Sequence, residues 1–197
     1  MNDAKWTENV ILVDADYIDK VAFDLIVNFE RMLERRVPQA DLARWLDCVA
    51  LDGGLRPGEE GQHTASTQVV LLHGKGKLQL DNFTPSRLEE DLDGKAFSDN
   101  LGEFLISCVP VEDLVTAEDL FLDSMQVICS SPEVRHVMLV PDSEHIYNKV
   151  RDGLRHVSDD KRVTVFSMQP MQGGNFRQEI LGYSLMAALG IRSEEIK

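Results

Sequence analysis

The sequence predicts an α/β fold: helices in two layers around a parallel sheet of about five strands. Three observations carry this. Short apolar runs of strand length recur along the 197 residues. Segments with helical periodicity separate them. At least two of the apolar runs end on an aspartate just before a helical pattern begins. Strands alternating with helices give a parallel sheet covered on both faces.

The first run, Val10 to Val13, has no polar residue and leads directly into Asp14, Ala15 and Asp16. Four consecutive apolar residues predict a strand buried on both faces. Apolar residues then recur at Val21, Ala22, Leu25, Ile26, Phe29, Met32 and Leu33, a helical period that ends before Pro38. Asp16 is expected to cap that helix. A second helix is expected around residues 40–51, with Leu42, Trp45 and Leu46 inward and Asp41 and Asp47 on the polar side. Gly53 and Gly54 stop it. Residues 53–66 are polar and turn-rich, so an irregular insert is expected there.

The second strand is read from "TQVVLLHG". Residues 81–100 are expected to form a second irregular insert, acidic, with a short helix after Pro85. "EFLISCVP" reads as the third strand and residues 117–130 as a helix ending at Pro132. "VRHVMLVP" is the fourth strand. Residues 143–156 follow as a helix, with Ile146, Val150 and Leu154 one turn apart. "RVTVFSM" is the fifth strand, and a last helix is expected from Phe176 to Leu189. "GGNFRQ" places Asn175 three residues before Gln178, a capping-box spacing at that helix's start. The length suits one domain over residues 1–197, large enough to bury roughly 70% of its unfolded surface.

Composition excludes some function classes. The net charge is −14, and residues 81–123 alone carry −10, with Arg87 and Lys95 as their only bases. A general nucleic-acid binder needs a basic footprint, which this chain lacks. The apolar runs fall far short of the ~20 residues that span a bilayer. The N-terminal residues carry acids and no apolar stretch, so no secretory signal is expected. Three widely spaced cysteines, Cys48, Cys108 and Cys129, fit small buried thiols in a reducing cytoplasm, without zinc-ligand spacing. No GxGxxG and no GxxxxGK[ST] occurs, which disfavours dinucleotide or P-loop chemistry.

In a Rossmann-like sheet of order 3-2-1-4-5, ligands bind outside the carboxyl ends of the strands, where the strand order reverses. Asp14 ends the first strand. Asp142 follows the fourth, in "VMLVPDSEHIY". That order puts both on one crevice. A carboxylate at the end of a buried strand is costly unless something pairs with it. For Asp142 two readings stand together, metal ligand and N-cap of the next helix.

"VILVDADYI" resembles the first strand of NYN domains within the PIN-like nuclease fold. "VMLVPDSEHIYNKVRDGLR" resembles their fourth strand and the helix that it opens. "AEDLFLDSMQVI" is similar to the acidic helix before that strand, and "KRVTVFSM" to the final strand. The resemblance implies a PIN-like fold and a metal-dependent ribonuclease. Asp14, Asp142 and one of Asp119 or Asp123 would hold Mg2+ or Mn2+, Asp14 and Asp142 as the catalytic pair. Single-stranded RNA would be the substrate. Carboxylates at strand ends are rigidly held, and magnesium favours oxygen ligands.

The chain departs from that pattern. Ala15 stands where glycine is usual, Tyr17 where asparagine is frequent, and Val140-Pro141 where Ser-Gly precedes the aspartate. Glu144 replaces an aspartate and His145 an aromatic residue. A second class therefore stands beside the nuclease: a non-catalytic binding or interaction module on the same fold, with a second copy or another protein as its partner. A phosphatase or nucleotide-binding Rossmann-like protein is a weaker third. Convergence of three acids on one point separates the first two.

Overall fold

The computed structural model describes residues 5–58 and 65–196. Its elements run as follows. Strand β1 (Asn9–Asp14) passes directly into α1 (Ala15–Leu33). The short strand β2 (Ala40–Asp41) opens α2 (Leu42–Asp52), and β3 (Ser66–His73) follows. Next come β4 (Phe83–Thr84), a π-helical turn (Leu88–Leu92), β5 (Ala96–Asp99) and β6 (Gly102–Pro110). Then α3 (Ala117–Ser130), β7 (His136–Val140), α4 (Ser143–Gly153) and β8 (Arg162–Ser167) alternate. The chain closes with β9 (Arg177–Ile180), α5 (Leu181–Ala188) and a 3-10 turn (Ser193–Ile196).

The central sheet has seven strands rather than about five, in the order β5-β6-β3-β1-β7-β8-β9. Every neighbouring pair is parallel except β5 with β6. The two unforeseen strands lie at the edges. A separate pair, β2 with β4, is also parallel.

β1 is apolar without a break because it divides two cores. Val10 to Val13 are all fully buried. Ile11 and Val13 face the layer of α1, α2 and α5, where Ile18, Trp45 and Leu185 pack. Val10 and Leu12 face α3 and α4, against Phe121, Met125 and Val150. Successive strand residues point to opposite faces, so a strand covered on both sides shows no alternation.

Several expectations need correction. Residues 177–180 form β9, so the last helix begins at Leu181, not Phe176. The capping box does not form. Asn175 Nδ2 donates to Leu154 O at 2.9 Å, and Gln178 Oε1 accepts from Met171 N at 3.1 Å. The 81–100 insert is not irregular throughout, since β4, the π turn and β5 lie in it. Gly102 permits the hairpin from β5 to β6. Its φ is +109, and a Cβ there would lie 1.9 Å from Ala65 O. The 53–66 insert lies partly outside the described residues.

Burial of Cys108 and Cys129 raises their thiols to about 12 and about 11. Among the described residues no helix is long and apolar enough to cross a membrane.

Candidate functional site

The strand order reverses between β1 and β7. Val13 lies opposite Val140, so both strands end at the same level. α1 leaves β1 toward one face, and α4 leaves β7 toward the other. The gap between the two helix starts is where an open parallel sheet binds ligands.

Asp14 is at the floor of this gap and caps α1. Its Oδ1 accepts the Tyr17 N–H at 3.0 Å, with φ −79 and ψ 97. Asp14, not Asp16, is therefore the cap. Burial raises its carboxyl pKa to about 6. The Tyr17 amide works against that rise, and the charges of Asp16 and Asp142 add to it.

Asp142 precedes α4 but makes no side-chain capping bond. Its Oδ2 lies 2.8 Å from His145 Nδ1, one turn on. Its Oδ1 is buried without a hydrogen-bond partner among the described residues. A buried carboxylate oxygen left open is costly, and a cation or a proton donor would relieve it. Ligand atoms of Asp142, Glu144 and His145 lie within 4.8 Å of one another.

The two helix starts also touch. Tyr17 Oη and Ser143 Oγ are 3.4 Å apart, both buried, and Lys20 Nζ lies 3.6 Å from Glu144 on the exposed rim. Burial raises the Tyr17 phenol above its ordinary value. Asp16 points sideways, and its Oδ2 accepts the Gly74 N–H at 2.9 Å. Beside Asp14, Asp16, Gly74 and Phe121 is a cavity of only about 10 Å³. That is room for a single water.

Of the expected ligands, Asp14 and Asp142 share the gap, but among the described residues only Asp142 belongs to the three-residue group. Asp119 and Asp123 are exposed on α3 and fall outside the three-residue group found among the described residues. The reason is helical geometry. α3 turns Phe121, Met125 and Ile128 into the core, so positions two residues away point outward. Ala117 and Phe121, not the acids, face Asp14. Glu144 and His145 take their place in the group. The three-residue spacing of Asp142 and His145 is the sequence signal for that pairing, because such residues are neighbours on a helix.

The profile of one family, described as "Family of unknown function (DUF6621)", matches residues 3–196. The chain belongs to that family. The match to DUF6621 spans the whole sheet and both strand-end aspartates. No curated protein and no solved structure matches the chain.

Proposed function

We propose that this DUF6621 protein is a metal-dependent ribonuclease with a PIN/NYN-like plan, working at the β1–β7 gap. One observation supports it most. Among the described residues Asp142 carries a buried, unpartnered oxygen, and one ligand atom from each of Asp142, Glu144 and His145 lies within 4.8 Å of the other two. Two carboxylates and an imidazole fit a divalent ion. The nitrogen donor favours manganese over magnesium, which prefers oxygen alone.

Asp142, Glu144 and His145 would hold the ion, with Asp14 across the gap. When bound, the ion supplies Lewis acidity, lowering the pKa of water and offsetting charge on a phosphodiester. The chain's own groups do the rest. A proton on His145 Nδ1 directed at Asp142 would leave the lone pair on Nε2. Ser143 and Tyr17 hold the two helix starts together. Asp14, whose pKa is about 6, exchanges a proton near neutral pH.

A specific observation favours the second reading, a non-catalytic module. The space beside Asp14 holds about 10 Å³, and its carboxylate is already used as a cap. Substrate would have to meet the exposed side of the group, at Glu144 and His145.

Labelled single-stranded RNA separates the readings. Wild type should cleave it slowly in manganese and not in chelator, and Asp142→Asn should not cleave. Equal cleavage by both proteins would expose a contaminant. No cleavage by either, across several RNAs, would favour the module.

A further inference from the structure

A second polar groove lies along α4, away from the strand-end gap. It has a volume of about 340 Å³ and is lined by Arg151, Arg155, Gln172, Gly173, Gly174 and Asn175. Arg151 is its unusual member. Its side chain is only 20% exposed, and among the described residues its Nη1 is buried without a hydrogen-bond partner and its nearest carboxylate, Asp152, is 4.0 Å from Nη2. A guanidinium stays charged at all relevant pH and carries five donors. Leaving such a donor buried and unpaired is costly, while the exposed part of the same guanidinium lines the groove, where an oxyanion is the group that pairs with it best.

The opposite wall is a loop fixed in place at several points. Tyr147 Oη donates to Gln172 O, and the Tyr147 ring meets Phe176 edge-on at 6.4 Å. Asn175 Nδ2 is bonded to Leu154 O, and Met171 N to Gln178 Oε1. Phe176 packs into the α3–α4 core. Gly173 and Gly174 therefore face the arginines on a held backbone, without side chains to fill the groove. Arg155 is exposed and bound at 3.0 Å to Asp152, the acid at this rim.

We infer that Arg151, Arg155 and the Gly173–Gly174 loop form a binding site for a phosphate group. The site stands whether or not the strand-end gap is catalytic. Asp142 and Arg151 are nine residues apart, roughly 14 Å along the helix. A phosphate held here belongs either to a single-stranded RNA crossing α4 or to a free phosphate.

The test is titration in low-salt buffer, by calorimetry and amide NMR shifts, without metal. The probes are inorganic phosphate and a short single-stranded oligoribonucleotide. Wild type should bind phosphate saturably, with shifts at Gly173 and Gly174. Arg151→Gln should weaken binding by about tenfold or more, as expected for loss of a charge-assisted bond. Gly173→Glu, which places a carboxylate in the groove from an exposed loop, should abolish it. Arg155→Gln should weaken it less. If Arg151→Gln fails to fold, the other two variants decide. Competition between oligomer and phosphate identifies an RNA backbone as the source, and phosphate binding alone identifies a free phosphate. No saturable binding of either probe, or equal binding by wild type and Gly173→Glu, overturns the site. Neither result depends on cleavage.

Discussion

The carboxylate of Asp14 accepts the Tyr17 amide at 3.0 Å, yet burial around it favours the neutral acid. The two effects oppose each other, and burial prevails. Its folded pKa of about 6 exceeds the ordinary 3.8, so the folded protein binds this proton more tightly than the unfolded chain. Stability from this group is therefore lost as pH rises from about 4 to about 6, and the cost is full above that. Asp14→Asn keeps a capping oxygen and removes the charge. It should be more stable than wild type at pH 7.5, by about 1–3 kcal/mol, with the gap closing near pH 4. Urea midpoints at the two pH values measure this. A variant less stable than wild type at pH 7.5 would refute it.

The group at Asp142 predicts a metal response. Manganese should raise the melting temperature of wild type, because an ion that binds only the folded state stabilises it by mass action. Asp142→Asn should abolish the rise. His145→Gln should shrink the manganese response toward that of magnesium, since the nitrogen donor is lost. Identical thermal shifts in all three proteins would speak against a site.

Asp19 is a buried acid with a structural task. Only 3% exposed, it accepts from Lys77 Nζ at 2.8 Å and from the backbone N–H groups of Asp81 and Asn82. It ties the loop after β3 to α1. Asp19→Ala leaves the Lys77 charge and two amides without their acceptor, and should cost about 3–5 kcal/mol. Hydrogen exchange should show lost protection at residues 81 and 82 before the rest of the sheet opens. Unchanged protection there would mean that the loop is held by other contacts.

Far from the gap, burial and the adjacent Asp99 carboxylate raise Asp47 to about 7. The sign is that of Asp14: stability falls as pH rises through the range from about 4 to 7. Asp47→Asn should raise the melting temperature at pH 8 and change it little near pH 4, below most of that range. A benefit of equal size at both pH values would exclude this origin.

Much of this architecture was legible because burial writes itself into the residues. β1 lies between two cores, so Val10 to Val13 read as a strand without any alternation. α1, α3 and α4 each carry an apolar stripe that matches their buried faces. The edges were not legible. "AFSD" and "RQEI" take their conformation from the ladder of one neighbour, and their own composition is polar, as suits edge strands. Asp14 was legible as an acid in a costly place. That it caps α1 was not, since strand and helix join there without a loop. Asp119 and Asp123 were expected as ligands because their segment resembles an acidic helix of the nuclease family, but which face of α3 meets the sheet depends on Phe121 and Met125.

The position of β1 has a consequence for how the chain comes together. It precedes every other described strand in the chain and lies in the middle of the sheet, between β3 and β7. Its second partner is not complete until Val140 has been made. No local hairpin shelters it meanwhile, because both neighbours are parallel and distant in sequence. A strand with four consecutive fully buried apolar residues must therefore wait, until the chain has been made as far as Val140, with at least one edge open, the period in which a chaperone has the most to gain by holding it.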